Sequence, residues 1–533
     1  MGVRLLRRQK ILAALGLAAC CMVIAAVTLL GVRLKLTAAD PYLAGRDYLQ
    51  AIHANYHAKG SYTGDVLRSI CLKNGNNGDL DFDIQGYFVD RDIYLFLPPG
   101  ADAGSLCISF ETDAGPVTLN GKRLFSGLTR ADFTGEPVLE CGGETYTVYI
   151  RRTSLPVVSF ETFNSEPVYS KEQKVTTVFS LYDECGALSF SQTGSVRVRG
   201  NSTAQYPKLP YHLDLKEEAS LLGLTASKDY VLLANFSDSS LLRNTVTHTM
   251  ARSLNIDSAM DSEYVELYMN GAYQGVYDLG THVGVETVGL PATGWIAELD
   301  ARTADTPLSW RSPVYGVPLK IKDLGEDVGE QTAWKRIRRQ ITALEQALSS
   351  PDFCANGQRY TDRIDVESFA VNYLLQELSK NRDFHNPYST FLYEKDGLLY
   401  MGPVWDMDQG YGNAAEPLYT GAEGLVQQSF WFERMAQDPQ FMAVVRQKFE
   451  ELRPFLQNLE TWAEQQNALL DNAATNNFIP TYIGLNEEMN TPEDYSHKAM
   501  ADELSGWILR RAAWLDENLP AGALCVLAGA CGF

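Results

Sequence analysis

The periodicity of the chain changes once along its length, and that change limits the folds open to it. From about Asp79 to Thr153 apolar residues alternate as strand residues do, as in Ile93-Tyr94-Leu95-Phe96-Leu97 and Tyr146-Thr147-Val148-Tyr149-Ile150. Val157 to Phe160, Val175 to Leu181 and Val196 to Val198 continue the pattern. Further on the spacing becomes helical, in Trp334 to Leu348, in Asp365 to Lys380 with Phe369 and Tyr373 one turn apart, and in Phe441 to Leu456. Strands first and helices afterwards is the order of a two-lobed α+β domain.

The turn dipeptides Asn120-Gly121 and Gly142-Gly143 separate the early strands, so residues 79–155 read as a small β-sandwich and residues 156–480 as the larger α+β domain. Residues 37–78 read as a partly helical spacer ending in Asn74-Gly75-Asn76-Asn77-Gly78, and 481–533 as a helical segment and tail. Ahead of these, Ile11 to Val32 are 22 uncharged, mostly apolar residues. As a helix rising about 1.5 Å per residue they would cross a hydrocarbon core of about 30 Å. Arg4, Arg7, Arg8 and Lys10 precede them and only Arg33 and Lys35 follow closely, which places the N-terminus in the cytoplasm and the main domains outside. Residues 1–36 are therefore expected to be a single-pass membrane anchor. A cleaved signal peptide is the alternative, with small residues at Thr37-Ala38-Ala39, but the apolar run exceeds the usual length of about 7–15.

Acidic residues outnumber basic ones, 66 to 45, for a net charge of -21, which argues against a general nucleic-acid binder. The nine cysteines contain no CxxC. Structural thiols or one or two disulfides fit them better than a metal site, with Cys525 and Cys531 close enough in sequence to pair. His53 and His57 stand four apart with no third metal ligand in view.

Two stretches could carry chemistry. In the first, a helix capped by Asp365 ends at Lys380 and leads into Asn381-Arg382-Asp383-Phe384-His385-Asn386. A hairpin about Asp396-Gly397 follows, and then Trp405-Asp406-Met407-Asp408-Gln409-Gly410. Protein kinases arrange the catalytic half of their site in this succession, with one Asp taking the hydroxyl proton, an Asn on one magnesium and a second Asp joining metal to phosphate. Asp406 and Asp408 offer a divalent cation two carboxylates from one short loop; a solvated acidic turn has the same sequence. In the second stretch, Arg197 and Arg199 share a strand face, Gly200 permits a sharp turn into Asn201-Ser202-Thr203, and Lys208 follows. That loop reads either as a phosphate cradle or as an ordinary surface turn. Near Asn235-Phe236-Ser237-Asp238, Arg243 is either an ion-pair partner or a ligand contact.

Several motifs together resemble the CotH kinase family. They are Arg199-Gly200-Asn201-Ser202, Pro207-Lys208 with Pro210-Tyr211, Leu233-Ala234-Asn235 with Leu242-Arg243-Asn244, Val265 to Gly271 with Tyr273 and Gly275-Val276-Tyr277, and Gly402 to Asp408, in family order. The resemblance implies an atypical protein-kinase-like bilobal fold using ATP and Mg2+, or another divalent cation, to phosphorylate Ser or Thr of envelope or coat proteins. It implies Asp383 as the catalytic Asp, Asp406, Asp408 and Asn386 at the metal, and Arg199, Asn201, Ser202 and Lys208 at the nucleotide. The sequence departs from the family where an acid is usual, near Thr281; Glu266 is the candidate substitute, or a plain strand residue. Two other readings stay open: a non-catalytic surface protein that binds through a kinase-like scaffold, and a metal-dependent transferase using a nucleotide sugar.

Overall fold

The computed structural model of the chain describes residues 60–256, 260–303, 309–385, 387–414, 416–424, 430–481 and 497–520. The segment Ile11–Val32, the cysteines at 20, 21, 525 and 531, His53, His57, Asn386 and the tail from Ala521 lie outside them. Among the described residues no helix is long and apolar enough to cross a membrane. Even the 23-residue helix Leu459–Thr481 carries Glu460, Glu464 and Asp471. The single-pass, extracytoplasmic placement expected from the sequence is therefore unsupported: no described helix spans a membrane, and the segment that prompted it lies outside the described residues.

Strands between Ser69 and Arg152 form a four-stranded and a six-stranded sheet that share one apolar cluster, including Ile70, Ile93, Leu95, Phe133 and Val148. The cluster Asn74 to Gly78 is a turn inside this module, not the boundary read from the sequence, because Ser69–Leu72 before it pairs with Leu106–Glu111 after it. The two-residue turns Asn120-Gly121 and Asp396-Gly397 have positive φ at both residues, the conformation that two-residue hairpins favour and that Asn, Asp and Gly tolerate.

Seven strands then close into a barrel, in the order Val157–Thr162, Val175–Tyr182, Leu188–Val198, Tyr211–Ala219, Ser227–Leu233, Ala272–Thr281 and Ser262–Met269. The last closes on the first by a parallel pairing of Val157 with Glu266. Tyr211, Leu213 and Leu215 point into the barrel core and His212 and Asp214 away from it, as the two-residue strand period requires. A five-stranded sheet follows, with Trp295–Leu299 between Pro318–Leu324 and Thr390–Lys395.

The helices Glu330–Ser349, Val366–Ser379, Pro439–Gln457 and His497–Asn518 pack their apolar faces into a single core with this sheet. Glu330–Ser349 does so through an amphipathic face of Trp334, Ile337, Ile341, Leu344 and Leu348, whereas Val366–Ser379 is buried on nearly every side. The final helix is part of that core, through Leu504, Ile508 and Leu515. The five described cysteines are free thiols, so of the two possibilities raised by the sequence they are structural thiols.

A buried ion pair fixes the final helix. Arg511 donates Nη2 to Glu377 Oε2 at 2.7 Å with both side chains fully buried, and its other donors reach the carbonyls of Glu377, Ala422 and Gly424. Arg511→Met removes the ion-pair partner of the buried Glu377 carboxylate. The expected loss is about 3–5 kcal/mol, measured as a lower urea midpoint; an unchanged midpoint contradicts this account.

Candidate active site

Asp365 caps the helix Val366–Ser379 by accepting from Ser368 N at 2.7 Å. The helix ends in a left-handed Lys380, and the chain then turns through the short helix Arg382–His385, which carries Asp383. Asn381 organises this corner: its Oδ1 accepts from Asp383 N at 3.2 Å, and its Nδ2 lies 3.4 Å from the Asp406 carbonyl and 3.2 Å from Met407 Sδ. Asp383 and the loop from Asp406 are thereby joined.

That loop follows the strand Leu398–Met401, with Asp406 at φ 64, a conformation rare outside glycine that is tolerated best by Asp and Asn. Asp406 Oδ2 accepts from Ser389 Oγ at 3.0 Å, and Asp408 Oδ2 accepts from Ser237 Oγ at 2.6 Å. Each carboxylate is thus aimed by a hydroxyl on a separate element. Asn244 Oδ1 accepts from Met407 N at 2.8 Å, and Asn413 Nδ2 donates to the carbonyls of Ser237 and Asp408, at 2.8 and 2.6 Å. The result is a narrow cleft, partly open to solvent, whose lining includes Arg199, Tyr206, Asn235, Phe236, Asp406 and Asp408.

The acids are crowded. Burial, then the neighbouring Asp406 charge, push Asp383 up to about 6, with Arg382 and Arg302 acting in the opposite direction. Asp408 is pushed up to about 7 by burial and by Asp406, against its Ser237 hydrogen bond. Carboxylates held this way favour a proton or a metal cation.

The basic residues expected at the nucleotide separate into two groups. Arg199 lines the cleft, its guanidinium over the Trp405 ring at 5.5 Å and close enough to feel Asp406. Gly200 has φ +88, and a Cβ there would meet Thr203 Oγ1 at 1.9 Å, so only glycine makes this turn. Asn201 is exposed and accepts from Lys171 Nζ at 3.2 Å, while exposed Ser202 precedes a short 3-10 turn; neither lines the cleft. Lys208 is buried and donates to the Val276 carbonyl and to Asn477 Oδ1, the latter at 2.8 Å, with its ammonium over the Tyr277 ring. Burial pushes it down to about 7. It ties the barrel to the helix Leu459–Thr481 and does not line the cleft.

Glu266 is consumed structurally, accepting from Tyr273 Oη at 2.5 Å and from Ser154 N at 2.8 Å. The acid whose charge reaches Lys208 is Asp278, three residues before Thr281. Arg243 is an ion-pair partner, of Asp238. Sequence reasoning missed the aiming residues Ser237 and Ser389. Ser237 stood in a segment singled out for other reasons, and nothing near Ser389 marked it.

Compared with known families, the chain matches the description CotH kinase protein over residues 196–515, more than half its length. The chain belongs to the CotH kinase family. No curated protein matches it. Among solved structures, a Bacteroides thetaiotaomicron protein described as a candidate glycoside hydrolase is 11% identical, covering 49% of this chain and 82% of that one at a TM-score of 0.12. That likeness carries no argument about fold or function.

The CotH match runs from the barrel strand Leu188–Val198 to the final helix, so it contains the whole cleft. It also contains the tie made by Asn477, whose Oδ1 accepts from both Lys208 and Val276 N and presses on Gly275 at φ +90. Asn477→Ala takes the acceptor from Val276 N and leaves Lys208 with the Val276 carbonyl alone as acceptor. The expected cost is about 1–3 kcal/mol for each donor left unsatisfied, seen as a lower melting temperature, and full stability in the variant would show that the tie is unimportant.

Proposed function

We propose that this CotH family member is a phosphotransferase that moves the terminal phosphoryl group of ATP to a Ser or Thr hydroxyl of another protein, with the barrel and the helical half serving as the two lobes of a kinase-like scaffold. The observation that carries the reading is that Asp406 and Asp408 line a cleft that Arg199 also lines, with Asp383 joined to the same loop through Asn381. Envelope or coat proteins are the acceptor class that the family resemblance favours.

The residues present fit a divalent cation. Asp406 and Asp408 offer hard oxygen donors, each with one oxygen held by a Ser hydroxyl, and Asp408 is pushed up by burial and then by Asp406, an opposition that a cation would relieve. A bound divalent cation would neutralise charge on the transferring phosphates. Tyr206 and Phe236, with ring centroids 5.2 Å apart, and Leu233 give the cleft an apolar wall suited to a nucleobase. Asp383 would orient the acceptor hydroxyl and take its proton as transfer proceeds. The absence of an acid near Thr281 is the observation behind the non-catalytic alternative, and Asp278 beside Lys208 weakens it.

Calorimetric titration with ATP and magnesium tests the proposal. The folded protein should bind saturably, Asp406→Ala should lose that binding, and Asp383→Asn should keep it while turnover falls about 10²–10⁴-fold. No binding by folded wild type would sink the reading in favour of a binding scaffold. Because Asp383 acts as a carboxylate and sits near 6, activity should decline as pH falls through about 6 and level off above it. A pH profile without that acid limb removes Asp383 as the base.

A further inference from the structure

We propose a second cation site, separate from the acidic cleft, on the outer wall of the barrel: His212, Asp214 and Asp229 hold one divalent transition-metal ion of the zinc class. The position follows from strand register. Where Tyr211–Ala219 pairs with Ser227–Leu233, Asp214 stands directly opposite Asp229. His212, two residues before Asp214, shares its face. Like charges directly opposite on neighbouring strands repel, so these two carboxylates need a cation between them.

The distances suit a coordination sphere. His212 Nε2 lies 3.1 Å from Asp229 Oδ1 and 3.4 Å from Asp214 Oδ1. One ligand atom from each of the three residues falls within 4.8 Å of the others. A tetrahedral ion with bonds of about 2.0–2.1 Å spaces its ligand atoms about 3.3 Å apart. Hydrogen bonding alone is a weaker account, because one Nε2-H can point at only one carboxylate and 3.4 Å exceeds the usual length of such a bond.

The surroundings fix the ligands and leave a way in. His212 is buried, whereas the Asp229 side chain is half exposed. Ser195 Oγ donates to Asp214 Oδ2 at 3.3 Å, which leaves Oδ1 for the ion. Lys174 Nζ, 3.0 Å from that same Oδ1, is a competitor, but its side chain is half exposed and can withdraw into water. Asp229 pairs only with His212 among the described residues. The His282 ring, 5.0 Å from that of His212, gives its Nε2 to Lys322 Nζ at 3.3 Å and is a packing neighbour, not a fourth ligand. Three protein ligands leave the fourth position of a tetrahedral ion to water.

Donor type separates this site from the cleft. An imidazole with two carboxylates suits zinc, whereas magnesium prefers oxygen alone, as Asp406 and Asp408 supply. The location gives the ion a bracing role. Val231, opposite His212 in the strand pair, enters the apolar cluster of Ile296, Phe391 and Tyr393 where the barrel meets the five-stranded sheet.

The inference is independent of the phosphotransfer reading, and its test uses the full chain, stripped of metal and titrated calorimetrically with zinc chloride in excess magnesium. Asp406→Ala should retain a zinc equivalent that Asp229→Asn loses, with affinity at that site falling at least about 10–100-fold. Asp229 is the residue to change because its half-exposed side chain leaves the fold least at risk. Lys174→Met removes the competitor and should tighten zinc binding, an effect that a purely ion-paired cluster would not show. Zinc should also raise the melting temperature of the wild type and leave that of Asp229→Asn unchanged. The assignment is overturned if folded wild type takes up no zinc, or if folded Asp229→Asn binds as many equivalents as tightly as the wild type.

Discussion

The buried pair of Asp238 and Arg243 holds the barrel and the acidic loop in one register. Asp238 is almost wholly inaccessible and accepts from the Arg243 guanidinium, from Arg243 N at 2.9 Å and from Ser240 at both N and Oγ. The same guanidinium donates Nε to the Gly410 carbonyl at 3.2 Å, and the next residue, Asn244, takes Met407 N. Removing either charge would strand the other in a medium that solvates it poorly, which makes this junction far more sensitive than a surface pair. Every distance across the cleft, from Arg199 on the barrel to Asp406 and Asp408 on the loop, depends on that register.

What could be read from the sequence follows the range of the interaction responsible. The hairpin at Asp396-Gly397, the cap at Asp365 and the helix beginning near Glu330 are set by a few neighbouring residues, so local pattern finds them. The cleft is made by contacts that no local pattern contains. Ser237 and Asp408 are 171 residues apart, and Lys208 and Asn477 are 269 apart. Residue type at Lys208 suggested phosphate; only the fold shows that its ammonium turns toward Val276 and Asn477. The Asn74 to Gly78 cluster misled for the opposite reason, since a dense turn signal looks the same within a domain and between two.

The corner at Asp383 also shows why the acids were easier to find than the cations. Asp383, Asp406 and Asp408 lie on two loops joined by one hairpin, within a stretch of 26 residues, and their succession survives in the linear sequence. The cations come from four places, Lys171, Arg199, Arg302 and Lys320, with more than a hundred residues between the first and last. Nothing in their spacing connects them until barrel and sheet are built.

The two charge groups depend on each other. Three acids brought together repel, and the upward push on Asp383 and Asp408 records their burial first and that repulsion second. The cations likewise depress one another, as at Lys171 and at Lys322, where burial acts first and Arg199 and Lys320 add to it. Arg382 and Arg302 offset only part of the push on Asp383, so the corner keeps acids that burial and one another hold above the usual carboxylate range. A ligand that is anionic on one side and brings a cation on the other relieves both halves at once, whereas either component alone relieves only one. On the phosphotransfer proposal a metal-bound polyphosphate would answer both groups, at carboxylates that Ser237 and Ser389 already aim.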